Sequence, residues 1–320
     1  MLVGTTKSVT GRAEALGKPI EARFEKLTGR LNAVLKQFRL HQWSKNLLVF
    51  VPILLAHRYY DLDGWIHSLF AFLGLCITAS ATYIVNDLAD LQADRVHPTK
   101  RNRPLASGAL PIFYAAMLVP ILLLAGFALA YAGSPYAAAV LAAYLVLTLS
   151  YTYKFKRVAL VDTACIGLLF TLRIVMGCAA LNIGASPWLL AFSAMIFFSL
   201  AMAKRQTEIA KNAGRYDAVT IGGRGYQVGD GVLTLVYGVS AGVASLVILM
   251  LYTTNGVAAG LYRTPEWLWA VPLLLYFWQM RIWLLAHRGA LDDDPIVFAL
   301  RDRVSLALGA GCAVAFYLAI

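Results

Sequence analysis

Residues 82–108 read TYIVNDLADLQADRVHPTKRNRPLASG and place carboxylates, an amide and a basic cluster between two long apolar segments. In a helix, Asn86, Asp90 and Asp94 share a face at i, i+4 and i+8. Asp87 reaches that face by the i, i+3, i+7 route. Carboxylates this close repel each other unless a cation lies among them, and oxygen ligands suit a hard ion such as Mg²⁺. One helix end is therefore a candidate metal site.

Cations follow these acids closely along the chain. Lys100, Arg101 and Arg103 come six to nine residues after Asp94, and such side chains suit phosphate oxygens rather than a metal. The pairing of acids with bases predicts a Mg²⁺-bound diphosphate. The alternative is that this loop is charged only because it is exposed to solvent, and that its basic residues only fix the orientation of the protein in the membrane.

The composition identifies an integral membrane protein. Of the 320 residues, 60% are hydrophobic and 14% are charged, and the mean hydropathy is +0.66. These values exclude a soluble domain. Since a span needs about 20 apolar residues, the pattern predicts an all-α bundle of nine transmembrane helices, at 45–60, 65–88, 110–132, 136–153, 159–181, 187–203, 231–252, 265–285 and 304–320.

The placement of Lys and Arg predicts the orientation. With a cytoplasmic N-terminus, all but three of the 28 basic residues lie in cytoplasmic loops or at cytoplasmic helix ends; the exceptions are Arg58, Arg173 and Arg263. This asymmetry predicts a multi-pass protein of the bacterial cytoplasmic (inner) membrane. The net charge of +11 then requires no nucleic acid, because anionic membrane lipid is the default partner of such a surface.

The two ends of the chain differ in character. Residues 1–35 read as a cytoplasmic tail with an amphipathic surface helix at 20–35, and residues 36–320 form the transmembrane catalytic domain. No cleavable signal peptide is visible. The cysteines all fall inside predicted spans without a CxxC pair, so we expect neither a disulfide nor a zinc site.

Further candidates for substrate contact lie in or beside other spans. Lys45 and Asn46 are near the start of the first span, where interfacial anchoring is the alternative explanation. Lys154 follows the fourth span in an aromatic and basic edge that a membrane-interface belt also explains. Asp162 and Arg173 are charges within the fifth span, where they face either a structural ion pair or a substrate.

The second large cytoplasmic loop begins with KRQTE at 204–208. A surface salt bridge at i, i+4 would account for its first and last residues. Its basic residues nevertheless outnumber its acidic residues and could bind phosphate groups. The candidates in this loop are Lys204, Arg205, Glu208, Arg224 and Tyr226.

Two motifs resemble a known family. NDLADLQAD at 86–94 and HPTKRNRPLASG at 97–108 are similar to the first aspartate-rich motif of the UbiA superfamily of intramembrane prenyltransferases. The resemblance implies a nine-helix bundle with an active-site cavity open to the cytoplasmic side. Its aromatic prenyltransferases carry a second aspartate-rich motif where this chain has KRQTE. With RLHQWSKNLLVFVP at 39–52 and DDPIVFALRDRVSL at 293–306, KRQTE instead resembles the decaprenyl-phosphate phosphoribosyltransferase branch.

The branch resemblance implies a reaction. Its members transfer 5-phosphoribosyl from 5-phosphoribosyl 1-diphosphate to a polyprenyl (decaprenyl) phosphate, releasing diphosphate, on the way to lipid-linked arabinose donors for cell-wall arabinan. It implies Mg²⁺ on Asn86, Asp90 and Asp94, and catalytic roles for Asp90, Asp94, Lys100 and Arg103. The implied substrate-binding residues are Lys45, Asn46, Asn86, Asp87, Arg101, Lys154, Asp162, Arg173, Lys204, Arg205, Glu208, Arg224 and Tyr226.

Two other functions stay open on the sequence. One is the Mg²⁺-dependent transfer of a prenyl group from its diphosphate to an aromatic acceptor. The other is a non-catalytic membrane transporter or scaffold, although no inverted repeat or pair of broken helices supports a transporter. The sequence also leaves a homo-oligomer open.

Overall fold

The computed structural model describes residues 28–212, 225–254, 260–291 and 295–320, together with two two-residue strands. The strands, β1 (Leu2–Val3) and β2 (Arg23–Phe24), pair in parallel. The helices are α1 (Thr28–Phe38), α2 (Val51–Leu55), α3 (Leu62–Ala89), α4 (Leu91–Val96), α5 (Ile112–Gly133), α6 (Pro135–Tyr153), α7 (Val161–Ala180), α8 (Pro187–Asn212), α9 (Gly231–Thr254), α10 (Ala270–His287), α11 (Pro295–Ala299) and α12 (Arg303–Ala319).

Seven described helices are long and apolar enough to cross a membrane: α3, α5, α6, α7, α8, and α9 and α10 with the 3₁₀ turns before them. They make the chain a multi-pass membrane protein. The predicted count of nine is not confirmed. The first predicted span, 45–60, overlaps the end of a 3₁₀ helix, Leu40–Phe50, and the short α2 that follows it. The last one, α12, has 17 residues.

Helix α7 lies at the centre of the bundle. One buried cluster, which includes Val49, Leu75 and Leu141, joins it to the 3₁₀ helix, α3 and α6. A second cluster, which includes Met202 and Ile282, joins it to α8 and α10. Helices α5 and α6 are far less buried, and most of their exposed large side chains are apolar, as expected of a surface that faces lipid. The most buried helices therefore carry the intramembrane polar residues.

Close helix contacts depend on glycine at two places. A Cβ on Gly74 of α3 would lie 2.6 Å from the carbonyl oxygen of Gly126 on α5. On α7, a Cβ at Gly177 would collide with the carbonyl oxygen of Val49 in the 3₁₀ helix. Small residues allow backbones to approach this closely within a membrane. The second contact determines how the 3₁₀ helix packs against α7.

Helix α1 packs against the bundle through Ala33, which lies in a buried cluster with Ile84 and Leu105. It covers the end of α3 at which the chain turns into α4. We call this end of the bundle, where α3, α6 and α8 terminate, the polar end. The boundary between tail and catalytic domain at residue 35 stays a prediction, and α1 runs across it.

Helix ends are fixed by side-chain caps. The Asp61 carboxylate accepts a hydrogen bond from the Gly64 amide at the start of α3, and Asp302 caps α12 through the Ser305 amide. Arg281 of α10 also donates two hydrogen bonds to Asp302. The bonds from Arg281, and then those from Ser305, hold the pKa of Asp302 below its usual value.

Candidate active site

A cavity of about 260 Å³ lies among α3, α6, α7 and α8. Four residues of α6 line it, from Tyr144 to Thr152, and the eight-residue rise between these two corresponds to a depth of about 12 Å. Its apolar walls include Phe170, Phe197 and Leu200. Among its described lining residues are four cations and no carboxylate; the cations are Arg39, Lys45, Arg173 and Lys204. The cavity therefore presents positive charge from several directions.

A larger hollow of about 690 Å³ opens between α9 and α10. Its walls are apolar side chains such as Val239, Phe277 and Leu284, with Arg281 and His287 also present. None of the site residues predicted from the sequence lines it. We place the candidate site in the smaller cavity, because that cavity gathers predicted residues from four separate segments.

Asp87 is buried at the polar end and is surrounded by donors. Arg39 reaches both of its oxygens at 2.6 and 2.7 Å, and the Gln37 amide donates at 2.8 Å. Arg103 donates to the same carboxylate at 3.0 Å. Only 2% of Asp87 is exposed. Its hydrogen-bonding capacity is used within the protein, so this carboxylate joins α1, α3 and the basic loop.

Asp90 and Asp94 point to different partners. Lys156 bonds to Asp90 at 2.6 Å, and Arg103 bonds to Asp94 at 2.6 Å. Helix α3 ends at Ala89 and α4 begins at Leu91, so the helix predicted through both acids is interrupted at Asp90. The Asp90 amide still donates to the Asn86 carbonyl and the Asp94 amide to the Asp90 carbonyl, so the helical spacing of the three residues is kept. Asp94 is buried.

The residues predicted to bind Mg²⁺ differ in how well they suit the ion. No group of three His, Cys, Asp or Glu side chains within the described ranges could hold a metal ion. Mg²⁺ on a phosphate substrate, however, commonly takes only one or two protein ligands and completes its shell with phosphate oxygens and water. Asn86 lines the cavity, and the carboxylate of Asp90 is 32% exposed. These two fit such an ion, whereas Asp94 as a ligand stays a prediction.

Arg173 lies deep in the bundle and lines the cavity. Its Nε donates to the Asn46 side-chain oxygen at 2.9 Å, and one terminal nitrogen donates to the Leu169 carbonyl at 2.5 Å. The guanidinium also stands over the rings of Phe170 and Tyr144 at 4.7 and 5.4 Å. The structure thus brings together two predicted substrate-binding residues, Asn46 and Arg173.

Asp162, Arg205 and Tyr226 form a buried network outside the lining of the cavity. The Tyr226 hydroxyl donates to Asp162 at 2.8 Å, and Arg205 lies 3.3 Å from the other carboxylate oxygen. Arg205 also pairs with Glu208. Burial raises the pKa of Tyr226 to about 12. The network joins α7, α8 and the segment before α9; substrate contact by its members stays a prediction.

The remaining predicted cations lie nearer the surface. Lys100, Arg101 and Lys154 are exposed at the polar end, whereas Lys45 and Lys204 line the cavity. Arg224 lies outside the described residues. Desolvation, and then the neighbouring charges of Arg39 and Lys45, lower the pKa of His41.

Sequence reasoning did not single out Gln37 or Tyr144, and it named Arg39 and Lys156 only as cations, without their carboxylate partners. Gln37 and Arg39 bind Asp87, Lys156 binds Asp90, and Tyr144 forms part of the cavity floor beside Arg173. The three residues with polar-end partners are far from them in sequence, so no local spacing connects them. Tyr144 is one of four tyrosines in α6, and nothing in the sequence distinguishes it from the other three.

The family model of the UbiA prenyltransferase family matches residues 47–300. The chain belongs to the UbiA prenyltransferase family. The match covers α2 to α11 and includes most of the cavity lining. The protein is therefore a membrane-embedded enzyme of the transferase type, and the alternative of a non-catalytic transporter or scaffold is not supported.

Relatives of known sequence confirm the resemblance to the phosphoribosyltransferase branch. The decaprenyl-phosphate phosphoribosyltransferase of Mycobacterium tuberculosis is 30% identical over 88% of this chain and 94% of its own length. The nodulation protein NoeC of Azorhizobium caulinodans is 35% identical over 86% of this chain and 89% of its own. An uncharacterized protein of Sinorhizobium fredii, y4nM, is 46% identical over 89% of this chain, which spans only 55% of that protein.

Solved structures share the fold. A UbiA homolog from Archaeoglobus fulgidus bound to GPP and Mg²⁺ superimposes with a TM-score of 0.64 at 13% identity, over 90% of this chain and 100% of its own. A digeranylgeranylglyceryl phosphate synthase gives the same TM-score, 0.64, at 16% identity, over 91% of this chain and 98% of its own. At these identities the likeness shows the fold alone.

Proposed function

We propose that the protein transfers 5-phosphoribosyl from 5-phosphoribosyl 1-diphosphate to a polyprenyl phosphate. The observation that carries this proposal is the cavity lined by four cations and no carboxylate among its described residues. A prenyl diphosphate has one anionic end and a long apolar tail. A phosphoribosyl diphosphate has anionic groups at both ends of a polar ring, and a pocket with cations on several walls suits it better.

The cavity residues would position the donor. Lys45 and Lys204 come from different segments and could bind phosphate oxygens from opposite sides. At the polar end, Lys156 next to Asp90 adds a cation near the proposed leaving group. The exposed Lys100 and Arg101 and the Asp94-bound Arg103 remain candidates for neutralising charge on the departing diphosphate.

The bond changes follow from the substrates. An oxygen of the polyprenyl phosphate forms a bond to C1 of the ribose, while the bond between C1 and the diphosphate oxygen breaks. The electron pair leaves with the diphosphate, and C1 passes through an oxocarbenium-like state. The lipid phosphate is already anionic at neutral pH, so no side chain has to remove a proton. The protein contributes orientation and charge stabilisation.

A bound Mg²⁺ would neutralise the diphosphate and make it a better leaving group. Asn86 and Asp90 would hold it, since Asn86 lines the cavity and Asp90 is the accessible carboxylate beside it. The homolog of the same fold bound to GPP and Mg²⁺ supports this choice of ion.

The reaction would take place at the cytoplasmic side of the membrane, and its lipid product would serve the cell envelope. With the N-terminus inside, the polar end faces the cytoplasm, where a water-soluble donor is available. The polyprenylphosphoryl-5-phosphoribose would lead to lipid-linked arabinose donors for the cell envelope. The relative named as a nodulation protein suggests nodulation as a second destination for such a lipid-linked pentose.

Prenyl transfer to an aromatic acceptor is the second candidate. The apolar residues Ile166, Leu169 and Phe170 in the cavity wall favour it, because they could contact a prenyl chain. Octaprenyltransferases are also among the relatives: the 4-hydroxybenzoate enzyme of Aromatoleum aromaticum is 33% identical over 55% of this chain.

One assay separates the two reactions. Purified protein is incubated with Mg²⁺, polyprenyl phosphate and radiolabelled 5-phosphoribosyl 1-diphosphate, and the lipid fraction is counted. We expect labelled lipid, and a chelator should abolish it. If no labelled lipid forms, while a prenyl diphosphate is consumed with an aromatic acceptor, the proposed function is wrong.

Asp90→Asn should lower kcat by roughly 10²–10³-fold, because it removes a negative charge from the metal on the leaving group. The protein should still fold, since the carboxylate is partly exposed. Asp302→Asn is the matched control: it also removes a carboxylate paired with one cation, but away from the cavity, and should keep nearly normal kcat. Similar activity in both variants would remove Asp90 from the site.

A further inference from the structure

The floor of the cavity is formed around Arg173, whose charge is not balanced by an acid. Only 5% of the residue is exposed. Its hydrogen-bond acceptors are the Asn46 amide oxygen, the Leu169 carbonyl and, at 3.5 Å, the Tyr144 hydroxyl. All three are neutral, and within the described ranges no Asp or Glu forms an ion pair with it.

A charge at this depth is costly without a counter-ion. Arg173 is the thirteenth residue of the 20-residue helix α7, so it lies far from either end of the span. Buried cations in a membrane normally face a pathway or a partner of opposite charge. The guanidinium has five N–H donors and the three contacts above use three of them. Arg173 therefore retains both charge and donors for an anion that enters the cavity.

Lys204 lies at a different depth in the cavity from Arg173. Lys204 is seven residues of α8 beyond Phe197, which packs against Phe170 near the floor. Seven helical residues correspond to about 10 Å. A ligand that satisfies both levels must carry two anionic groups separated by a neutral spacer. This matches a sugar that bears a diphosphate at one end and a phosphate at the other.

We propose that Arg173, held by Asn46 and Tyr144, binds the 5-phosphate of the donor at the cavity floor and so selects a doubly phosphorylated sugar. This inference rests on the proposed function and deepens it. An apolar prenyl tail at the same place would leave the guanidinium buried without a counter-ion, so the residue also discriminates against prenyl diphosphates.

The same chemistry could come from the phosphate of the lipid acceptor. That phosphate is anchored at headgroup level by its own tail, and to reach the floor it would have to sink about 10 Å into the bundle. The donor is water-soluble and carries no such anchor. The geometry therefore favours the donor, and the experiment distinguishes the two sources.

The test compares two donors and one acceptor on wild type, Arg173→Gln, Arg173→Lys and Arg281→Gln. The donors are 5-phosphoribosyl 1-diphosphate and ribose 1-diphosphate, which lacks the 5-phosphate; the acceptor is polyprenyl phosphate. Arg281→Gln is the matched control, because it removes another arginine of the bundle whose partner is Asp302 and which lies outside the cavity. Thermal unfolding of each variant in detergent monitors folding.

We expect wild type to prefer the phosphorylated donor by about 10- to 100-fold in kcat/KM, as a charge-assisted hydrogen bond implies. Arg173→Gln should lose this preference by raising the KM of the phosphorylated donor alone. Arg173→Lys should keep part of it, and Arg281→Gln all of it.

Three results would overturn the inference. The first is that wild type shows no preference between the two donors; this result does not depend on the folding of any variant. Arg173→Gln could raise the KM of polyprenyl phosphate instead, which would assign the subsite to the acceptor. It could also lower the rate equally with both donors, which indicates a structural role. If wild type forms no lipid product from 5-phosphoribosyl 1-diphosphate, the proposed function itself fails, and the inference with it.

Discussion

Two aspartates three residues apart lie in different surroundings. Asp87 is buried and bonded to Gln37, Arg39 and Arg103, whereas Asp90 is partly exposed and pairs with Lys156. Removing one member of a buried ion pair is costly because its partners stay behind uncompensated. Removing one member of a surface pair costs little. The two positions should therefore separate stability from catalysis.

Asp87→Ala should lower the free energy of unfolding by about 2–4 kcal/mol, near the low end for buried pairs because its arginines keep some contact with water. Asp90→Ala should change it by less than about 1 kcal/mol while abolishing turnover. Denaturation in detergent and the transfer assay measure the two effects. Equal loss of stability in both variants would contradict the division of roles.

At the scale of single elements, the 3₁₀ helix Leu40–Phe50 carries Lys45 into the cavity wall and places Asn46 against Arg173. Its position depends on the contact between the Val49 carbonyl and Gly177 of α7. A methyl group at Gly177 would also lie 3.0 Å from the ring of Pro52. Because both obstacles are part of the backbone or bonded to it, they cannot simply rotate away.

Gly177→Ala should therefore displace the 3₁₀ helix and lower kcat/KM by about 10²-fold, as a misplacement of about 1 Å can do. It should also cost about 1–3 kcal/mol of stability through overpacking. Gly309→Ala in α12 is the control, since a Cβ there meets nothing within 4 Å. If the two alanine variants behave alike in both measurements, the contact does not position the segment.

Sequence patterns predicted the long helices well and their junctions less well. Hydrophobic length located α3, α5, α6 and α7 within three residues, whereas α8 runs nine residues past its predicted end. The same patterns treated 86–94 as one helix, whereas α3 ends at Ala89 and α4 begins at Leu91. Local spacing also could not show that Lys156 and Arg103 pair with Asp90 and Asp94, because these partners are brought there by the fold.

At the scale of the whole molecule, the positive charges predict which end of the bundle faces the cytoplasm. Val96, on α4 at the polar end, is 84% exposed, and Tyr60, at the other end of α3, is fully exposed. The excess of Lys and Arg at the polar end should keep that end inside.

A membrane-impermeant maleimide should label Tyr60→Cys in intact cells and Val96→Cys only after permeabilisation. The background replaces Cys76, Cys165, Cys178 and Cys312 so that one thiol remains. Labelling of Val96→Cys in intact cells, with Tyr60→Cys protected, would reverse the orientation.

The grouping of residues around the cavity was only partly predictable. Their charge within a predicted span drew attention to Arg173 and Asp162, but the two residues lie in different surroundings. Helix periodicity predicts which face of a helix a residue lies on, and it does not predict what packs against that face. Arg173 meets the cavity, whereas Asp162 meets Tyr226 and Arg205. Helix rotation in the bundle decides such outcomes, and it depends on long-range packing.

The lengths of two helices bear on how a lipid substrate is handled. Helix α3 has 28 residues and α8 has 26, so they extend about 42 and 39 Å, beyond the roughly 30 Å of hydrocarbon in a bilayer. Asn86 lies 24 residues after the start of α3, about 36 Å along it, so the surplus turns of α3 carry Asn86 into the headgroup layer. A polyprenyl phosphate, the proposed acceptor, has its phosphate at that height. It would therefore react at headgroup level, and no free energy would be needed to lift its tail out of the membrane.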